Sequence, residues 1–404
     1  MTTLRIVTLA GDPEAEALLA AQLGAHRELD LVLRCVDRIE LLATIRGGSL
    51  DAILSVGAPP WLDRQSAHEA AEGGIRLVGL SDDSLETERL KLLGAAILPS
   101  DASPATIVEY CRDVVRASPA PLLSTQPTQP KGKVVAVWGP KGAPGRTTMA
   151  VELAAELAGS EPETLLIDGD PYGGDCLQVL GVIEELPTIV WAARMAAKEE
   201  LDVARLALDL RRAGRSGPVL LPGLPRSEMW PEVSDYGWRQ LLTVARASFR
   251  FTVCDVGFCL EPADSTFLGV GEGRNRIARV AVREADRVVA VCRGDAIGVK
   301  NFLWGFEQLR ELGRDDDVVI IANRVRSTEQ RALGDLFRKH LGKRPIAYIP
   351  DLPSEFGHAL QAGVPVRETK RGSDVTAGIR SLAASLGARI PSTGMMARLA
   401  GTAL

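Results

Sequence analysis

Val134–Ala150, VVAVWGPKGAPGRTTMA, joins an unbroken apolar run to a glycine-rich turn, a pair of threonines and the start of a helical segment. An apolar run without polar alternation suits a strand buried on both faces, as parallel sheets require. Gly139, Gly142 and Gly145 let backbone N–H groups turn inward, and the helix start adds its positive dipole end. Thr147 and Thr148 stand where a hydroxyl ligates a divalent cation. Strand, turn and helix together form a cradle for nucleotide phosphates. Counted from the last glycine of G-x-x-x-x-G-K-[ST], Gly145, the lysine position holds Arg146. A guanidinium is longer, planar and bidentate, so it neutralises phosphates but disturbs the in-line geometry of hydrolysis. Binding is therefore better supported than turnover.

Four later segments add weight through their order. Thr164–Gly181, TLLIDGDPYGGDCLQVLG, carries Asp168 and Asp170 to the carboxyl end of a strand, where α/β sheets hold ligands. Such acids engage Mg²⁺ or order an attacking water. Phe251–Val256, FTVCDV, brings Asp255 to a strand tip as an acid for Mg²⁺. Val318–Arg324, VVIIANR, ends on Asn323, whose amide is placed to read an adenine edge. Pro350 and Asp351 follow the run Ile346–Ile349 and are expected beside the base.

The 404 residues exceed what one core usually organises, and 46% hydrophobic with 25% charged residues suits two soluble cores. With 47 basic and 52 acidic residues the net charge is −5, which does not favour nucleic acid or anionic lipid. The six cysteines contain no CxxC pair and the four histidines are scattered, so no zinc ligand set is expected. Without a secretory leader or an uncharged apolar run of about 20 residues, the chain reads as cytoplasmic.

The seam is Ala117–Pro130, ASPAPLLSTQPTQP, uncharged and holding four prolines. It sets the expected domains at 1–116, a linker at 117–132, a large α/β domain at 133–390 and a tail at 391–404. Before the seam, Leu4–Leu9, Leu31–Val36, Ala52–Val56, Leu77–Leu80 and Ala95–Leu98 are strand candidates alternating with helical segments. After it, the candidates are Val134–Trp138, Thr164–Ile167, Val219–Leu221, Phe251–Val256, Val288–Cys292, Val318–Ala322 and Ile346–Ile349. Both halves read as α/β, two doubly wound parallel-sheet domains. The first is similar to a response-regulator receiver (flavodoxin-like) domain in size and rhythm. It lacks the acid cluster, the third-strand aspartate and the fifth-strand lysine: Asp12, Ser55-Val56 and Leu98-Pro99-Ser100 stand there instead. A docking or dimerisation role is preferred to phosphoryl acceptance.

Against the deviant Walker A motif K-G-G-x-G-K-T-[TS], Lys141, Gly142, Gly145, Thr147 and Thr148 fit, while Ala143 and Arg146 depart. With the segments above, residues 133–390 resemble the MinD/ParA superfamily of P-loop ATPases. DGDPYGGDCL at 168–177 and the degenerate receiver-like start are similar to its CpaE/TadZ branch. The resemblance implies ATP and Mg²⁺ sandwiched in a homodimer, with Lys141 reaching the other subunit's phosphates. Asp170 would serve the catalytic water, and Thr147, Asp168 and Asp255 the metal. It implies work in assembling and localising a Tad (type IVc) pilus, with a pilus or secretion ATPase and inner-membrane platform proteins as partners. Recruitment to the inner face of the membrane or a pole would follow.

Two rivals stay open: a ParA/MinD-like positioning ATPase for DNA segregation or division-site placement, and a nucleotide-independent scaffold with a decayed site. For the first, basic clusters occur at Arg205, Arg211, Arg212 and Arg215, at Arg274, Arg276 and Arg279, and at Arg367, Lys370 and Arg371. Such clusters are usually solvated faces, so DNA binding is not expected. The tail, with Met395, Met396, Leu399 and Leu404 around Arg398, is too short for stable anchoring, and membrane contact is at most peripheral.

Overall fold

The computed structural model describes residues 3–116 and 132–389, except 25, 49, 162, 184, 185, 203, 204, 207–209, 215, 263–272 and 371, and the side chains of 113–116. The expected linker, save for Gly132, and the expected tail lie outside the described residues, as do Arg215 and Arg371. The chain forms two compact units.

The first carries β1 (Leu4–Ala10), β2 (Leu29–Cys35), β3 (Ala52–Val56), β4 (Arg76–Leu80) and β5 (Ala96–Leu98). They make an all-parallel sheet in the order β2-β1-β3-β4-β5, with a helix after each strand. Alternate residues of each apolar run face opposite sides. Val7, Leu9, Ile53 and Leu77 therefore enter one core, and Ile6, Leu54, Val78 and Leu80 the other. Asp12 closes the first strand by capping the following helix: its Oδ1 accepts from the N–H groups of Glu14 and Ala15 at 3.1 and 3.2 Å.

The second unit carries β6 (Lys133–Trp138), β7 (Thr164–Gly169), β8 (Arg211–Arg212), β9 (Val219–Leu221), β10 (Phe251–Val256), β11 (Arg287–Arg293), β12 (Val318–Asn323) and β13 (Ile346–Ile349). The sheet order is β13-β12-β11-β6-β10-β7-β9-β8, parallel except for β8. The two-residue β8 carries no apolar signal and escapes sequence reading. On one face, Trp138 packs with Phe302, and Phe302 with Phe306 and Phe337. On the other lies the Arg146–Ser160 helix, buried without interruption from Met149 to Ala158. Such a helix needs cover outside as well, and the Asp374–Ser385 helix supplies it. Glu152 and Glu156 are buried in that seam. Glu152 accepts from Val366 N–H at 2.8 Å, and Glu156 pairs with Arg380 at 2.9 Å and Arg367 at 3.4 Å. No described helix is long and apolar enough to cross a membrane.

Helices Ile189–Ala197 and Asp235–Ser248 approach through Gly237, where an added Cβ would lie 2.4 Å from the Ala193 carbonyl oxygen. Gly237→Ala is expected to lower stability by about 1–3 kcal/mol, because backbone must move. Gly357, in the Pro353–Ala362 helix, has no atom within 4 Å of its Cβ position. Gly357→Ala should raise stability by about 0.5–1 kcal/mol through helix entropy. Denaturant midpoints of the two variants test the pair.

Candidate functional site

The sheet order sets the carboxyl ends of β6, β10 and β7 side by side. In that register Asp255 stands beside both Val137 and Asp168. Asp255 shares the parity of Val253, and Asp168 that of Leu166, so both acids face the Arg146–Ser160 helix. Thr147, in the first turn of that helix, donates its hydroxyl to Asp255 Oδ2 at 2.6 Å.

Side chains hold the loop open from behind. Asn323 Nδ2 donates to the Pro144 carbonyl at 2.8 Å, Asn301 Nδ2 to that of Lys141 at 3.3 Å, and Arg293 Nη1 to that of Gly142 at 3.2 Å. A trans peptide sets its N–H opposite its carbonyl, so anchored carbonyls turn the N–H edges the other way. Gly142 and Gly145 have φ of 106° and 94°, and a Cβ at Gly145 would lie 2.6 Å from Asn323 Nδ2. Ala143, at the motif's second glycine, is held at a left-handed φ of 50°.

Arg146 turns back onto the loop. Its Nη1 donates to the Gly139 carbonyl at 3.1 Å and its Nη2 to Asp170 Oδ2 at 3.1 Å, with both side chains largely buried. The guanidinium also lies 5.9 Å from the Phe258 ring centre. Asp170 Oδ1 accepts from Tyr172 N–H at 2.9 Å. Asp170, the acid that sequence reading assigned to a water, thus has a cationic partner.

Asp168 accepts from the N–H groups of Asp170 and Cys176 at 3.3 and 3.1 Å. Burial pushes its carboxyl up to about 6, against those two bonds and with the Asp170 charge adding to the rise. Burial, then the Asp168 charge, hold Asp255 well above the ordinary carboxylate range, with Thr147 and Arg146 opposing. Asp255 Oδ1 is buried without a hydrogen-bond partner. A glycine cradle, a Thr–Asp pair and an unsatisfied carboxylate oxygen fit a phosphate chain with a divalent cation.

Gly139, Lys141, Gly142, Gly145, Arg146, Thr147, Thr148, Asp168, Asp170 and Asp255 thus gather at the carboxyl ends of the inner strands β6, β10 and β7. The Lys141 side chain is exposed there and Thr148 is half-buried. Asn323 joins them differently from the sequence reading. Its amide braces the loop, donating to Pro144 and accepting from Arg324 N–H at 3.0 Å, where the adenine edge was expected. Pro350 and Asp351 follow β13, which β12 and β11 separate from β6, and Asp351 is exposed. Sequence reasoning missed Arg293, Asn301, Phe258 and Cys176. Cys176 lies inside DGDPYGGDCL, and its position six residues after Asp170 was the available signal. The expected basic faces are engaged locally: Arg276 donates to the Pro231 carbonyl, Arg212 to that of Gly217, and Lys370 pairs with Glu355.

No family model matches the chain. The chromosome partitioning protein ParA of Myxococcus xanthus (strain DK1622) is 48% identical over 42 residues, which is 10% of this chain and only 15% of that protein. A ParA family ATPase from Chlorobium tepidum TLS superposes with a TM-score of 0.51 at 19% identity, over 62% of this chain and 98% of its own. An ATP complex of a Cyanothece McdA variant does so with a TM-score of 0.50 at 17% identity, over 65% and 99%. The chain contains the ParA-type P-loop ATPase fold.

An acid whose folded pKa is raised stabilises the fold below its ordinary value, and that stability is lost as pH rises through the folded value. Asp255→Asn should therefore stabilise the ligand-free protein by about 1–3 kcal/mol at neutral pH. The gain should shrink as pH falls toward about 4. Melting temperatures of native and variant protein across pH 4–8 check this; a pH-independent difference would contradict the assignment.

Proposed function

We propose that the second unit binds ATP with Mg²⁺ and turns it over slowly or not at all. The observation that carries this is the Thr147–Asp255 pair under an anchored glycine loop, with Arg146 folded onto Asp170. The loop N–H groups and Arg146 would hold the phosphates, and Thr147, Asp168 and Asp255 the cation, which supplies charge neutralisation. Lys141, exposed at the loop, would meet the phosphates of a second copy in a homodimer. Arg146 neutralises charge but occupies Asp170, so little carboxylate is left to order a water. The output on this reading is assembly: a CpaE/TadZ-like factor for a Tad (type IVc) pilus or secretion machine, docking through a receiver-like domain at 1–116. Its partners would be the pilus ATPase and platform proteins, with 117–132 as linker.

Purified full-length protein titrated with a fluorescent ATP analogue should show saturable binding that requires Mg²⁺, with phosphate release near background. Arg146→Lys frees Asp170 and should raise release by about tenfold or more, equivalent to about 1.4 kcal/mol of barrier. Rapid release by the native protein would refute slow turnover. No gain in the variant would point to the decayed scaffold.

The short ParA relative favours a second reading, a positioning ATPase that holds DNA. Duplex DNA titrated at rising salt separates the two. The pilus reading expects weak binding with a shallow slope, whereas a steep log–log slope would move the assignment to segregation.

A further inference from the structure

Four side chains stack outward from the phosphate loop. The Arg146 guanidinium lies over the Phe258 ring, 5.9 Å from its centre, and the Phe258 and Tyr172 ring centres are 5.0 Å apart. The Arg274 guanidinium lies over Tyr172 at 4.9 Å. Cations over ring faces attract through the ring quadrupole, and close aromatic pairs add to that attraction. Each ring is fixed from outside the phosphate site. The Phe258 carbonyl accepts from Trp138 Nε1 at 3.1 Å. The Tyr172 hydroxyl donates to Asn275 Oδ1 at 2.7 Å, and Asn275 Nδ2 donates to the Glu261 carbonyl at 3.0 Å. The segments that carry the rings meet at Gly257, where a Cβ would lie 3.0 Å from Pro171 Cδ and 3.3 Å from Asp170 Oδ1. Oxygen acceptors do not fully account for the pose of Arg146, because its Nε is buried without a hydrogen-bond partner.

We propose that Phe258 and Tyr172 form an aromatic latch that holds Arg146 on Asp170 and so keeps the nucleotide site idle. A guanidinium ends a long stem with many rotamers, and fixing it by carboxylate attraction alone costs side-chain entropy. A ring face beside it removes competing rotamers and asks for no further hydrogen bond. The latch is reached from its outer end: Tyr172 is 39% exposed, whereas Asp170 is buried. Loss of the Tyr172 contact would let Phe258 tilt and Arg146 swing toward the phosphates, leaving Asp170 without its cation. Phe258 and Tyr172 are thus positioning residues that act through Arg146. Their consequence rests on the nucleotide reading, since a bound phosphate is what offers Arg146 a second partner.

Phenylglyoxal, which reacts with accessible guanidinium groups, reads the latch without any nucleotide. On full-length protein, modification of Arg146, followed by peptide mass, should be slow. Phe258→Leu should speed it by about fivefold to tenfold, and Tyr172→Leu by a smaller factor. Phe258→Tyr, which keeps the ring face, should retain the native rate. Arg246, an arginine paired with Asp286 away from the stack, should keep its native rate in every variant. Phosphate release should rise about threefold in Phe258→Leu and gain nothing from that change in an Arg146→Lys background. Rapid labelling of Arg146 in the native protein would overturn the latch. So would a Phe258→Leu rate that does not rise, or a rise shared by Phe258→Tyr or by Arg246. The ATP analogue, tested on the same samples, keeps the two proposals apart. Analogue binding with an unprotected Arg146 overturns the latch alone, and a protected Arg146 without analogue binding overturns the nucleotide reading alone.

Discussion

The register between β10 and β7 is the constraint on which the second unit turns. It places Asp255 beside Asp168 on parallel strands, both facing the helix that starts at the phosphate loop. Two carboxylates packed this way, buried from solvent, repel each other and resist ionisation. The surroundings read as responses to that cost. Thr147 donates to one acid, two backbone N–H groups donate to the other, and Arg146 sits a short distance away on Asp170. Even so, one oxygen of Asp255 is left unpaired. A fold that keeps such a pair in its most buried layer is arranged to receive positive charge there.

Arg146 shows how one residue changes the use of a phosphate-loop geometry. A lysine in its place would extend a point charge toward the phosphates and leave Asp170 free. The guanidinium reaches backward, spanning the Gly139 carbonyl and Asp170 with its fork. The loop is then stiffened by its own side chain as well as by Asn323, Asn301 and Arg293. The same fork leaves the Asp170 carboxylate paired with a cation.

Strands built from continuous apolar runs were legible, because burial on both faces leaves a sequence signature independent of tertiary detail. All seven apolar runs after residue 132 became strands, whereas Arg211–Arg212, an edge strand without an apolar residue, left no such signature. The loop and the acids at strand ends were legible for a related reason: glycines and acids stand out against apolar runs. What could not be read was lateral. Asn323, Asn301 and Arg293 come from β12, the Ala296–Glu311 helix and β11, and only the sheet order brings them behind the loop. Cys176 is buried. Asp255, 3.9 Å from its sulfur, lies 79 residues away in the sequence.

The Arg146–Ser160 helix carries the site's consequences outward. Its first turn holds Thr147, and its middle is fixed by two buried glutamates to segments near residues 366–380. Burial pushes the Glu152 carboxyl up to about 7, against the Val366 hydrogen bond and the Arg367 charge. It accepts from Val366 N–H. A displacement at the loop that moved this helix along its axis would strain those bonds, because buried acceptors without water have no substitute. The helix is thus a rigid connection between the phosphate loop and the last helices of the unit.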